Sequence, residues 1–521
     1  MKRLICRAVA ILMFVTAGLV PSARAQDLNQ IGMTLLRAVT TNLNGSGIRV
    51  AQPEAAFDRG TNWEVNPAAA GQPAGLFTYL SADGSTNVFP NTLSSESGHA
   101  DAVAQHFFGI PGGVATNVAH VDNYEADYFI TNYVFNLVPM PSALVVNQSF
   151  TFGPLSVEDQ QGVDSSYDDY ADTFGTMFIS AVANGGPVYA PGTAYNCIAV
   201  AAYGGDSSVG PTIDNGRCKP DITAPAQVTS LSTPLVSGSA TVLLQAGFRG
   251  DGGSDTNAAT DMRTIKALLL NGAVKPANWT NQIPAPLDYR YGAGVLNVFN
   301  AYEQLAGGKH DYVVATSVPT NNPHFPARNT GTIDVLNGWD FNTNSSSAST
   351  DGVNHYYFDV TNSLNGADFS ATATLAWNRQ LGATNINDLD LFLYNTVGRS
   401  LVACSTSRVD NVEHIWVPQL SPGRYDLQVL KHGGPDVVSD AEAYALAFEF
   451  FSQTLSLNQS DTNLVLTWPV YPAGFVVETT TSLAPASWLA LTNLPVLVTN
   501  QQNWLLLTPT NGGQFFRLRL P

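Results

Sequence analysis

Apolar positions fall along this chain in three textures. From Gln26 to about Gly308, short apolar runs alternate with helical patterns. Ile48 to Ala51, Ala143 to Val146 and Met177 to Val182 are compact runs of the kind buried in strands, whereas Val236 to Gly247 and Arg263 to Leu270 read as helices. Strand and helix in alternation predict an α/β sheet covered on both faces. From about Lys309 the helical signal disappears. Short segments with period-two alternation follow, as in Tyr356-Tyr357-Phe358-Asp359-Val360 and Arg424-Tyr425-Asp426-Leu427-Gln428-Val429, separated by clusters of Asn, Ser, Thr and Gly. That pattern predicts a β-sandwich. A second break near Ser452 opens a last all-β piece, small enough to depend on its neighbour for stability. The expected organisation is a leader over 1–25, an α/β domain over 26–308, a β-sandwich over 309–452 and a small β domain over 453–521.

The leader stands apart. Lys2, Arg3 and Arg7 precede an apolar run from Ala8 to Val20, followed by Pro21 and a small-x-small site at Ala23-Arg24-Ala25. This is the pattern of a secretory signal peptide cleaved before Gln26. The run is about 13 residues, short of the ~20 that cross a bilayer, and no later segment has the length of a membrane anchor. The mature chain is expected to be soluble and exported.

Charge adds an exclusion. The chain has 23 basic and 41 acidic residues, and the leader removes Lys2, Arg3, Arg7 and Arg24 but no acid. A surface so acidic repels nucleic acid and anionic lipid, so neither is an expected partner. It also keeps an exported protein soluble, and it carries no information on chemistry. Of 4 cysteines, Cys6 leaves with the leader. Cys197 and Cys218 enclose a Gly-, Ser- and Asp-rich loop and could staple it in an oxidising compartment, leaving Cys404 as a buried free thiol. No Cys-x-x-Cys or His-x-x-x-His spacing argues for zinc.

The chemistry concentrates in the α/β part. Thr229-Ser230-Leu231-Ser232-Thr233-Pro234 follows Lys219-Pro220-Asp221-Ile222-Thr223-Ala224-Pro225 and opens a helix of small residues. A hydroxyl there lies at the positive end of a helix dipole, with backbone N–H groups able to face a developing oxyanion. Taken alone this is an ordinary helix cap. In company it resembles the serine motif of subtilases, Gly-Thr-Ser-Met-Ala-Thr-Pro-His-Val-Ala-Gly, preceded by Lys-Pro-Asp-Ile-x-Ala-Pro, and Ser230 falls on the nucleophile.

Upstream, Gly98-His99-Ala100-Asp101-Ala102-Val103-Ala104 is similar to that family's Gly-His-Gly-Thr-His-Val-Ala-Gly, which puts His99 at the general base. Val145-Val146-Asn147-Gln148-Ser149-Phe150 looks like its Val-Ile-Asn-Met-Ser-Leu strand, whose edge pairs with substrate backbone; this implies substrate contacts at Asn147, Ser149 and Phe150. Ser180-Ala181-Val182-Ala183-Asn184-Gly185-Gly186 is similar to Ala-Ala-Gly-Asn-x-Gly, which implies Asn184 as the oxyanion-hole side chain and Gly185 at the substrate. Ala181 to Gly186 and Tyr189 to Gly192 would line the primary pocket, with Tyr189 limiting its depth. Ile265 to Asn271 and Tyr291 to Asn297 resemble the closing helix and Gly-x-Gly turn. The implied fold is a subtilisin-like parallel α/β sheet followed by two all-β domains, and the implied reaction is peptide hydrolysis by a secreted serine endopeptidase.

The third triad member departs from the pattern. Asn44-Gly45-Ser46-Gly47-Ile48-Arg49-Val50-Ala51 matches the strand that leads to the family aspartate, yet Gln52-Pro53-Glu54 stands where Val-Ile-Asp is expected. Glu54 takes the acid position, with Asp58 as fallback. Ser-His-Glu sets work on other folds, and the order acid, base, serine is that of subtilisin. Further departures are Val228 for the glycine two before the serine, Ala100 for the glycine after the histidine, and Ala102 for the second histidine. They leave open an alternative, a catalytically degenerate subtilase that binds peptide or serves as a structural or adhesive protein. Only about 20 residues separate the leader from the first strand, too few for an inhibitory prodomain.

The downstream modules resemble accessory units less specifically. Ala373 to Trp377, Asn387 to Leu391 and Pro422 to Tyr425 look like the β-sandwich that follows some bacterial subtilases, and Leu464 to Pro469 with Phe475 to Thr479 looks like a fibronectin-III-like repeat. Contact with a cell surface or matrix through these domains is open. No cofactor is required by the chemistry. In Asp388-Leu389-Asp390-Leu391 the carboxylates share one side of a strand, so the segment is either a Ca²⁺ ligand pair or a solvated face.

Overall fold

The computed structural model describes residues 27–519 apart from 57–61, 142, 282, 329–330, 362–368, 436, 453–454, 461–462, 470–473, 493–495, 500–501 and 509–512. The leader and Asp58 therefore lie outside the described residues. No described helix is long and apolar enough to cross a membrane.

Eight strands form the first sheet: β1 (Arg49–Glu54), β2 (Phe77–Ser81), β3 (Gly84–Thr86), β4 (His120–Glu125), β5 (Val145–Gln148), β6 (Met177–Ala181), β7 (Cys197–Tyr203) and β8 (Ile222–Pro225). Their order is β8-β7-β6-β5-β1-β4-β2-β3, parallel throughout except for the hairpin partner β3. Parallel strands buried on both faces explain the compact apolar runs. Pro53 is tolerated in central β1 because β5 pairs only with Val50 and Ala51, so no ladder bond is lost on that edge beyond them. Successive strands are added on opposite sides of β1, and the crevice at the carboxyl ends of β1 and β5 is the switch point where open α/β sheets place ligands.

Six longer helices accompany the sheet: α1 (Met33–Val39), α2 (Gly98–Phe107), α3 (Val157–Phe174), α4 (Thr229–Arg249), α5 (Met262–Asn271) and α6 (Val298–Ala306). Helix α4 opens at Thr229, where the serine motif predicts, seven residues ahead of its apolar run; Thr229, Ser230, Ser232 and Thr233 are polar, yet the helix packs against neighbouring strands. It is buried on nearly every side from Ser232 to Gly247, as expected of a helix crossing the middle of a domain. Gly238 is needed there: a Cβ would stand 2.4 Å from Val114 Cβ.

The change from helix to strand falls between Ala306 and Val314. Next come β9 (Val314–Pro319), β10 (Asn337–Ser345), β11 (Thr350–Val360), β12 (Phe369–Trp377), β13 (Leu389–Asn395), β14 (Ser400–Ser405), β15 (Val412–Leu420), β16 (Gly423–Lys431) and β17 (Ala441–Ser452). They make two antiparallel sheets, β9-β11-β16-β13-β14 and β10-β17-β12-β15, around Phe358, Leu391, Leu427, Leu375 and Phe448. The last strands, from Ser456 to Arg519, form sheets of four and three strands around a small core of Leu466, Trp468, Val477 and Leu505.

The sandwich does not hang from a linker. Helix α5 lies on β12 and β17, and Trp339, Ala376, Val412, Ala445 and Ala447 belong to the same core as the α/β domain. Polar contacts reinforce the seam: Asn196 and Arg379 exchange backbone–amide hydrogen bonds of 2.9 and 2.8 Å, and Thr372 and Thr374 both donate to Asn271 Oδ1.

The expected Cys197–Cys218 staple is not formed. All three described cysteines are free thiols; Cys197 Sγ donates to Ser180 Oγ at 3.1 Å and Cys218 Sγ to the Leu287 carbonyl at 3.2 Å. The loop between them is held by charge instead: buried Arg217 pairs with Asp164 at 3.0 Å and Asp214 at 2.8 Å. Cys404, expected to be buried, is half-buried on edge strand β14.

Candidate active site

Glu54 is the last residue of β1 and is 1 % exposed. His99 is the second residue of α2, whose N-cap Ser97 accepts a hydrogen bond from Ala100 N–H. Glu54 Oε2 lies 2.9 Å from His99 Nδ1. The other carboxylate oxygen, Oε1, accepts from Gln52 Nε2 at 3.0 Å, and the same amide donates to the Ala100 carbonyl at 3.0 Å. Gln52 and Glu54 share a face of β1 because side chains alternate along a strand. Gln52 thus ties the acid to the base's own helix. Sequence reading missed it, although its i, i+2 spacing from the acid was the available signal.

Burial lowers the proton affinity of His99, but the charge of Glu54 and its hydrogen bond outweigh that, and the imidazole pKa is raised above its usual value. The carboxylate is thus placed to hold the ring with Nδ1–H toward Glu54 and to stabilise an imidazolium.

Ser230 is the second residue of α4. Pro234 has no N–H to offer the carbonyl four residues back, which is that of Ser230. Ser149 Oγ donates to this carbonyl instead, at 2.8 Å. Asn147 Nδ2 in turn donates to Ser149 Oγ at 3.0 Å, and Asn147 Oδ1 accepts from Ser237 Oγ at 2.8 Å. Asn147 is fully buried and Ser149 nearly so, so both side chains anchor the serine helix to β5, while Phe150 is half-buried beside them. Strand register completes the picture. Ala51 pairs with Val146, and Glu54 and Ser149 each follow that pair by three residues, at the carboxyl ends of adjacent strands. One carries His99 and the other holds Ser230, and helices α2 and α4 pack on each other.

Asn184 follows β6 and is exposed. Its Oδ1 accepts from Thr229 N–H at 2.8 Å and from Thr229 Oγ1 at 2.9 Å, one residue before Ser230. With Oδ1 so occupied, the Nδ2 donor is turned away from Thr229. Ser230 itself lies in the first helical turn, where backbone N–H groups have no intrahelical acceptor. Ala183, where the motif has glycine, is held at φ 84°, a left-handed conformation that strains a residue with a Cβ. Gly185 and Gly186 follow at φ 135° and 72°, and the Tyr189 hydroxyl stands 3.5 Å from where a Gly186 Cβ would be. Val228, replacing a family glycine, has φ −141° and ψ 153°, extended backbone open to any residue.

Residues 141–294 match the family model described as the subtilase family. This part of the α/β domain is thus similar to subtilases. Solved structures similar to the chain include the prenylagaramide maturation protease PagA (20 % identity, TM-score 0.36, 53 % of this chain and 98 % of that one). Others are the PatG macrocyclase in complex with peptide (14 %, TM-score 0.39, 54 % and 97 %) and tripeptidyl peptidase 2 (11 %, TM-score 0.32, 74 % and 43 %). No curated protein matches the chain. The matched stretch contains Asn147, Asn184 and Ser230; Glu54 and His99 precede it and are joined to it by the geometry above.

Proposed function

We propose that the chain is an exported serine endopeptidase that hydrolyses protein substrates through Ser230, His99 and Glu54, with Asn184 in the oxyanion hole. The observation that carries this is the 2.9 Å contact between a buried Glu54 and His99 Nδ1, at the sheet end to which Ser149 ties the Ser230 turn. It pairs a carboxylate with an imidazole within a fold whose family match supports serine peptidase chemistry.

In this reading His99 Nε2 takes the proton of Ser230 Oγ as the oxygen attacks the scissile carbonyl. The negative charge moves to the carbonyl oxygen, where Asn184 Nδ2 and the Ser230 N–H donate to it. Collapse breaks the C–N bond, and the amine leaves with the proton from His99. Water then repeats the sequence on the acyl-enzyme, which returns the proton to Ser230. Glu54 stays ionised throughout and holds the ring. No step calls on a cofactor. Substrate backbone would lie along Ser149 and Phe150 as an added strand, with Gly185 leaving room beside it. Export follows from the leader pattern at residues 1–25.

The test is labelling by a fluorophosphonate probe and casein hydrolysis. Wild type should do both and Ser230→Ala neither, with unchanged far-ultraviolet circular dichroism. A folded wild type that neither labels nor cleaves would sink this reading and favour a peptide-binding or structural role.

A further inference from the structure

Far from the peptidase crevice, the outer face of the five-stranded sheet gathers a second set of reactive side chains. Asp388, just before β13, is joined to His432, just after β16, by the backbone bond His432 N–H to Asp388 carbonyl at 2.9 Å. On the other side of β16, Gly352 pairs with Lys431, so Asp351 stands opposite His432. Three adjacent strands thus set Asp388, His432 and Asp351 in a row, and Asp390 lies one pleat further along β13. Leu389 and Leu391 point the other way, into the sandwich core.

Ligand atoms of Asp388, Asp390 and His432 all lie within 4.8 Å of one another. His432 Nε2 is 2.8 Å from Asp390 Oδ2 and 4.0 Å from Asp388 Oδ2. His324 closes over the same face, packed against Phe392, two residues beyond Asp390, at a ring separation of 6.3 Å. Two of these polar atoms are buried and, among the described residues, have no hydrogen-bond partner: Asp388 Oδ1 and His324 Nδ1. Most buried polar atoms in folded proteins have a partner, so two orphans beside one cluster call for an explanation.

We propose that Asp388, Asp390 and His432 bind a divalent first-row transition ion of the zinc type, with water completing the coordination beside His324. Nitrogen decides the class. Calcium takes six to eight oxygens, whereas a set of imidazole and carboxylate groups suits a four-coordinate zinc-type ion. Tetrahedral bonds of about 2.0–2.2 Å separate their ligand atoms by about 3.4 Å. The observed 2.8 and 4.0 Å bracket that spacing, so small side-chain rotations suffice.

The surroundings fit. Asp351 Oδ2 lies 3.4 Å from His324 Nε2, and Asp351 Oδ1 is fixed by the Gly433 N–H at 2.7 Å. This pair holds the His324 ring over the cluster and adds a third carboxylate to its surroundings. Asp388 and His432 are partly exposed, which gives an ion a way in, and the exposed Arg408, 3.9 Å from Asp388, can swing aside. Sequence reading weighed the two aspartates for calcium; it missed both histidines, which are 42 and more residues away in the chain and come together only through the strand register.

The experiment uses the full chain carrying Ser230→Ala, so that it does not digest itself, stripped with chelator and dialysed against Zn²⁺ or Co²⁺. We expect one equivalent of zinc per chain and the visible d–d bands of four-coordinate cobalt. His432→Ala should abolish both, and Asp388→Asn, at a partly exposed position, should weaken zinc binding at least tenfold. Absence of stoichiometric zinc overturns the proposal. So does zinc binding that survives His432→Ala, or a preference for Ca²⁺ over Zn²⁺ at these residues.

Discussion

Replacing Glu54 by glutamine keeps the volume of a side chain that is 1 % exposed and removes its charge. The neighbours leave the new amide no good orientation. If its Nδ-equivalent nitrogen, Nε2, faces His99 Nδ1, the ring must carry its proton on Nε2 and cannot take one from Ser230. If its oxygen faces His99, its nitrogen meets Gln52 Nε2, donor against donor, because that amide already donates to Glu54 Oε1 and the Ala100 carbonyl. Turning Gln52 over only moves the conflict to Ala100. The lost attraction between carboxylate and imidazolium at close range is worth about 4 kcal/mol at the effective dielectric of a partly buried pair. At about 1.4 kcal/mol per tenfold, this predicts a fall in kcat/KM of about 10³ from charge alone. The tautomer conflict adds to it, in line with the roughly 10⁴ lost when the trypsin aspartate becomes asparagine.

The pH profile gives a second reading of the same variant. His99 must be unprotonated to act, so activity is lost as pH falls through its pKa. Glu54 raises that pKa against the lowering by burial. In Glu54→Gln only burial remains, and the acid limb moves to lower pH while the plateau drops. Glu54→Asp withdraws the carboxylate by about one C–C bond, roughly 1.5 Å, and should cost less than glutamine does. Initial rates on a fluorogenic protein substrate from pH 5 to 9, with folding checked by thermal melts, measure all of this. A Glu54→Gln enzyme within tenfold of wild type, with an unmoved acid limb, refutes the assignment of Glu54 as the triad acid.

Asn184→Ala should lower kcat by about 10²–10³ with little change in KM, the figure known for subtilisin's oxyanion asparagine; stopped-assay kinetics on the same substrate decide it. Ser149→Ala leaves the Ser230 carbonyl without a donor, since Pro234 supplies none, and should cost about 1–3 kcal/mol in denaturant unfolding together with a fall in kcat; unchanged stability would mean that the contact is idle. Lys275 is buried between Trp279 and Trp416 at the seam with the sandwich, and burial pushes its pKa down from 10.5 to about 7. A depressed base contributes stability that is present above the unfolded pKa and lost as pH falls through the folded one. Lys275→Met should therefore raise Tm most below pH 7 and least near pH 10, an order that melts across this range can reverse or bear out.

Much of this was legible in the linear chain because its causes are local. Compact apolar runs mark strands buried on both faces, so β1, β5 and β6 could be read directly, and the loss of helical period past Lys309 marks the sandwich. Ser230, His99 and Asn184 sit at element ends that short motifs specify, and Glu54 follows from counting along its strand. Only the tertiary structure decided what holds them. Pairing of Ala51 with Val146 brings the ends of β1 and β5 together, Gln52 reaches across to Ala100, and Ser149 replaces the bond that Pro234 cannot make. The unformed Cys197–Cys218 staple and the His432–Asp390 contact have the same origin. Partners far apart in sequence are chosen by strand register and packing, and a residue pattern carries neither.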